Sequence, residues 1–167
     1  IVATLDCLTP PYSGKYIVFE PDEETGTTLL TVKAYSARDG AGNVVCDGCS
    51  LAPDLPGTVT PAKMHDPLYI ELESVAAAWK DAPYLPGERL GRARGVTDAA
   101  WTEADCRYLF DAVFGDAMRH CGARPFVVRL YYSAVRLFGG LYHAITGGKS
   151  SLPAILPAVL LAFAAAG

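Results

Sequence analysis

Two short clusters hold the residues whose types and spacing could do chemistry: Met64-His65-Asp66-Pro67-Leu68-Tyr69 and Glu103-Ala104-Asp105-Cys106-Arg107-Tyr108. A histidine on one helix, met by a carboxylate on the apolar face of another, is how a protein builds a buried, oriented imidazole. The carboxylate fixes the ring's tautomer and stabilises the imidazolium, so the histidine can act as a general base toward water. The same pair can instead simply tie two helices together, because ion pairs also serve structure.

The elements that must position these residues lie in the second half of the chain. A segment opened by Thr60-Pro61 runs to about Lys80, with proline at the first helical position. Pro67 lies inside it, so the spacing predicts a kink there or a helix that begins at Asp66. Thr97 or Thr102 caps a second helix that reaches Cys121, and Gly122 supplies a left-handed stop. On that helix Trp101, Asp105, Leu109 and Ala112 share one face. Asp105 is therefore expected toward the core, with Glu103 and Asp111 on the solvated side.

A buried carboxylate needs a partner, since leaving it unpaired costs on the order of several kcal/mol. His65 is the economical candidate, because His120 and His143 sit near helix ends. Pro125 opens a third helix, roughly 126–143. Its Arg129, Tyr132, Arg136 and His143 read as a solvated stripe. Val128, Leu130, Tyr131, Ala134, Val135 and Phe138 form the opposite, core face.

The first part of the chain is β-forming. Residues 16–20 and 27–35 are rich in β-branched and aromatic side chains and flank the polar turn Pro21-Asp22-Glu23-Glu24-Thr25-Gly26, a hairpin pattern. Turn signals at Asp39-Gly40 and Gly42-Asn43 precede a short strand at about 43–46. A Pro/Gly-rich stretch over 47–61 closes the β part, and a Pro, Gly and Arg loop occupies 83–96. The expected fold is α+β: a small N-terminal antiparallel β element packed on about three helices. It forms a single domain over residues 1–146, followed by an apolar C-terminal tail over 147–167.

At 167 residues the chain can bury a real core without disulfide staples. A net charge of −4, with Lys and Arg scattered and densest at Arg89, Arg92 and Arg94, argues against a nucleic-acid surface. Five cysteines cannot all pair internally. Cys46 and Cys49 have metal or redox spacing, but no second ligand pair accompanies them. Cys106 and Cys121 fall on a helical pattern and read as small core residues. The opening Ile-Val-Ala shows no basic and apolar run of the signal-peptide kind. Residues 150–167 carry no charge, and Pro153 and Pro157 leave only about ten residues for an unbroken helix, where a span wants about 20. That segment is expected to dock on a partner protein or contact a membrane.

Four pieces occur in a fixed order. Asp47-Gly48-Cys49-Ser50 followed by Pro53 resembles D-G-x-S-x-P, and His65-Asp66-Pro67-Leu68-Tyr69 resembles H-D-x-L-Y. Ala104-Asp105 followed by Phe110 resembles A-D-x-x-F, and Tyr132 to Gly139 resembles Y-x-A-V-R-x-F-G. Together they resemble a phage- and prophage-encoded family of unknown function over about residues 16–140. Pro67 departs from that pattern, which usually has an aromatic residue there. The H-D-x-x-Y run with a later Asp is also similar to secreted and viral calcium-dependent phospholipases. That resemblance implies His65 as the base that deprotonates water, Asp105 as its orienter, and Tyr69 as a donor to the Asp105 carboxylate. It further implies Asp66, with Asp47 as a substitute oxygen ligand, for calcium, which would polarise the ester carbonyl.

Two functions follow. The favoured one is a virion-associated structural component of a phage tail or neck, its His-Asp pair a core lock and its tail docked on other phage structural proteins or a membrane. The alternative is a calcium-dependent, phospholipase-like hydrolase acting on the host cell envelope. The protein is then expected in the virion, or in the host cytoplasm during assembly, with contact to lipid through residues 150–167.

Overall fold

The structure, a computed structural model, describes residues 1–33, 55–82 and 101–146, the last ten of these by backbone only. The fold is α+β, as the sequence predicts: a four-stranded antiparallel sheet packed on helices. The strands are β1 (Val2–Leu5), β2 (Tyr12–Ser13), β3 (Ile17–Asp22) and β4 (Thr27–Val32), in spatial order β1-β4-β3-β2. The predicted hairpin is β3–β4, paired Ile17 to Val32 and Phe19 to Leu30. Alternation buries those four side chains on one sheet face. The Asp22 carboxylate organises the hairpin turn by accepting from Glu24 N–H at 3.0 Å. Strands β1 and β2 are too short to produce a readable alternation, and they flank the hairpin on either side. The strand expected at 43–46, the Cys46/Cys49 pair, the 83–96 loop and the 147–167 tail lie outside the described residues.

Four helices are described rather than three: α1 (Val59–Ile70), α2 (Leu72–Trp79), α3 (Glu103–His120) and α4 (Pro125–Thr146). The extra one arises because the 60–80 segment is two helices. Its break is not at Pro67, which stays inside α1, but at Glu71, whose ψ of 6° leaves the helical region. The Glu71 carboxylate is held there from the sheet side. Tyr12 Oη donates to Oε2 at 2.9 Å, and the Tyr16 backbone N–H donates to Oε1. Gly14 lies directly beneath, where an added Cβ would come within 1.7 Å of Glu71 Oε2.

Helix α3 is the axis of the molecule, packed against α1, α2 and α4. Thr102 is its cap: Thr102 Oγ1 accepts from Asp105 N–H at 3.2 Å, and the Asp105 side chain accepts from Thr102 N–H at 2.9 Å, a complete capping box. Beyond its C-terminus Gly122 has a φ of +78°, the left-handed stop expected from the sequence. The main core lies between sheet and helices. Phe19 sits edge-on to Trp79 at 5.1 Å and stacks on Phe110 at 6.1 Å, and Trp79 meets Trp101 at 4.9 Å.

Candidate functional site

His65 and Tyr69 are one turn apart on α1, so both side chains leave the helix on the face turned to α3. The carboxylate they meet is Asp111, not Asp105. His65 Nε2 lies 3.2 Å from Asp111 Oδ1, and Tyr69 Oη donates to the same oxygen at 2.6 Å. The other oxygen, Oδ2, accepts from Arg136 Nη1 of α4 at 3.2 Å. Asp111 is fully buried, and three donors from two neighbouring helices satisfy it.

The expected pairing of His65 with Asp105 is thus corrected. Asp105 does face inward, but its carboxylate turns back to the Thr102 backbone to close the start of α3. The assignment of Asp111 to a solvated face fails because α3 has helices on more than one side. Phe110, Asp111, Val113, Phe114 and Gly115 are all buried, well beyond a single apolar stripe. One sequence signal did point to Asp111. The Asp-x-x-Phe spacing is kept by Asp111 and Phe114, whereas Phe110 stands five residues after Asp105.

Arg136, read as part of a solvated stripe, bridges inward over the Tyr108 ring, with its guanidinium carbon 4.8 Å from the ring centroid. Gly115 lets α4 approach: a Cβ there would meet the Tyr132 ring at 3.2 Å. Leu130, assigned to the core face of α4, is instead 46% exposed, while Val128 and Tyr131 are buried. Over residues 125–136, whose side chains are described, the buried arc of α4 is narrower than its apolar composition suggests.

The site's electrostatics follow from burial. Desolvation first, then the Asp111 charge and the hydrogen bond to it, push the Tyr69 phenol far above the ordinary tyrosine range. Tyr69 therefore remains a proton donor in a hydrogen bond and does not serve as an acid or base. The His65 ring lies between the Tyr69 ring at 4.4 Å and the Phe114 ring at 4.7 Å, and the residue is 8% exposed. Because the carboxylate accepts at Nε2, a neutral ring carries its lone pair on Nδ1. Nδ1 has no hydrogen-bond partner among the described residues.

Of the residues named for calcium, Asp66 is half-buried on α1 and Asp47 lies outside the described residues. Among the described residues no group of three or more His, Cys, Asp and Glu side chains comes together as a metal cradle. Among the described residues no helix is long and apolar enough to cross a membrane. No protein-family model, curated protein or solved structure matches the chain.

Proposed function

We propose that the chain is a hydrolase of the phospholipase-like kind, with His65 as general base and Asp111 as the residue that positions it. The observation that carries this reading is the shared carboxylate oxygen. Asp111 Oδ1 takes both His65 Nε2 and the Tyr69 hydroxyl, which fixes the ring plane and leaves Nδ1 as the basic edge. In the reaction, Nδ1 removes a proton from water as the water oxygen bonds to an ester carbonyl carbon. The resulting imidazolium then returns that proton to the departing alkoxide as the C–O bond breaks. Asp111 stabilises the imidazolium between the two steps. The substrate class is a lipid carboxylic ester of the host envelope, as the H-D-x-x-Y resemblance implies. General-base catalysis supplies roughly a hundredfold to ten-thousandfold. His65→Ala is therefore expected to reduce ester hydrolysis by about two orders of magnitude or more, measured with and without added calcium. Hydrolysis at the wild-type rate in that variant defeats the reading.

A second reading is favoured by Arg136. By occupying Oδ2 it makes Asp111 a three-way tie among α1, α3 and α4, as a non-catalytic phage structural component needs. In that reading the protein assembles into the tail or neck of a particle. Immunoblots of purified particles test it, and a protein found only free in the lysate counts against it.

A further inference from the structure

Every one of the 18 acidic residues lies at or before Asp116, while residues 117–167 carry Arg119, Arg124, Arg129, Arg136 and Lys149. A chain with a net charge of −4 therefore holds one wholly basic region. The fold gathers part of it at one place. Between the last turn of α3 and the first turns of α4 lies a hollow of about 410 Å³, lined by Arg119, Ala123, Pro125, Val128 and Arg129. Arg119 is 62% exposed and paired with Asp116 at 2.5 Å. Arg124 and Arg129 are exposed and make no ion pair among the described residues. Beside them Phe126 is 74% exposed and Leu130 46% exposed, one turn apart on the outer face of α4.

We propose that this face of α3 and α4 docks on an anionic lipid bilayer, with Phe126 and Leu130 entering the headgroup region and Arg124, Arg129 and Arg119 holding lipid phosphates around the hollow. Charge complementarity supports an anionic occupant: Asp116 offsets Arg119, while Arg124 and Arg129 are exposed and have no carboxylate partner among the described residues. A bilayer fits better than an acidic protein because two large apolar side chains, Phe126 and Leu130, stand exposed close in sequence to the arginines. A helix that lies in the interface buries such apolar residues and leaves its cations at headgroup level. The face lies wholly within the described residues of α3, α4 and the turn between them. It holds whichever role His65 plays, so vesicle binding and ester hydrolysis can fail separately.

The test is co-sedimentation of the full chain with phosphatidylcholine vesicles and with mixed phosphatidylcholine–phosphatidylglycerol vesicles, at low and high salt. Each arginine near an anionic surface contributes about 1 kcal/mol, close to fivefold in binding. Arg124→Glu/Arg129→Glu should therefore lower the partition coefficient on mixed vesicles by more than tenfold, and Phe126→Ser should lower it severalfold. Both sites are exposed, and thermal melts of the variants confirm that the fold is retained. Salt should weaken wild-type binding. Failure to bind mixed vesicles, equal binding to both vesicle types, or wild-type binding by both variants overturns the proposal.

Discussion

The Tyr69 hydroxyl and Asp111 Oδ1 are 2.6 Å apart, the shortest contact in a cluster whose acceptor is sealed from water. A carboxylate in that position is worth little as an isolated charge and much as a shared acceptor, because removing it strands its donors.

Asp111→Ala is expected to destabilise the fold by about 3–5 kcal/mol, since it leaves His65, Tyr69 and Arg136 without their acceptor. Tyr69→Phe removes one hydrogen bond to a charged group and should cost about 1.5–3 kcal/mol. Arg136 is 37% exposed along its side chain, so water replaces part of its interaction. Arg136→Met is thus expected to cost less than either. Urea unfolding of the three variants ranks them, and a near-neutral Asp111→Ala contradicts the central role given to the cluster.

What could be read in advance divides along physical lines. The β3–β4 hairpin, the Thr102 cap and the Gly122 stop are written in local sequence, through alternation, a side-chain oxygen at the cap and a residue free of Cβ. All three stand where expected. His65 was also legible from its residue type and its place on a helix, and Tyr69 through the H-D-x-x-Y resemblance; the structure puts them one turn apart on one face. Their partner was not. Choosing between Asp105 and Asp111 required knowing how many helices surround α3, a tertiary fact that a single-face pattern does not carry. Pro67 misled in the same way, since the helix break at Glu71 is fixed by Tyr12 and Tyr16, more than fifty residues away in sequence.

Asp105 and Asp111 should separate cleanly by experiment. Asp105→Ala loses half of a capping box and should cost about 0.5–2 kcal/mol while leaving the kcat of any ester hydrolysis unchanged. Asp111→Asn keeps the shape but removes the charge that stabilises a protonated His65, so kcat should fall while the fold persists. Steady-state kinetics on the two variants, alongside thermal melts, decide the assignment. A larger kcat loss at Asp105 reverses it.

The sheet is joined to the α1–α2 break through a pair that can be dissected by a double-mutant cycle. Gly14→Ala alone drives a methyl group into Glu71 Oε2 and is expected to cost about 1–3 kcal/mol as overpacking. Glu71→Ala alone strands the Tyr12 hydroxyl and the Tyr16 N–H. In the double variant the clash with Glu71 is gone and only the Tyr12 ring, 2.7 Å from the added Cβ, remains, so the two costs should sum to more than the measured total. Additive values show that Gly14 and Glu71 do not meet.

Alkaline pH probes two buried thiols and one half-buried phenol at once. Burial first, then the hydrogen bond and charge of Glu71, push the Tyr12 phenol up to about 12. Burial likewise lifts the Cys7 thiol to about 11, aided by Asp6, and the Cys106 thiol to about 12. Each group is held neutral more strongly in the folded state than in the unfolded one. Each therefore contributes stability in full below its unfolded value, near 9 for the thiols and 10 for the phenol, and that contribution is lost as pH rises toward the folded value. The urea midpoint should accordingly fall from about pH 9 upward, with no matching loss from these groups near neutrality. Thiol chemistry should report the same order: at mildly alkaline pH a maleimide or disulfide reagent should label the exposed Cys121 in the native protein. Cys7 and Cys106 should react only after denaturant is added, because the thiolate is the nucleophile and burial suppresses it. Peptide mapping after labelling separates the three sites, and native-state labelling of Cys106 at the rate of Cys121 shows that α3 is not packed as described.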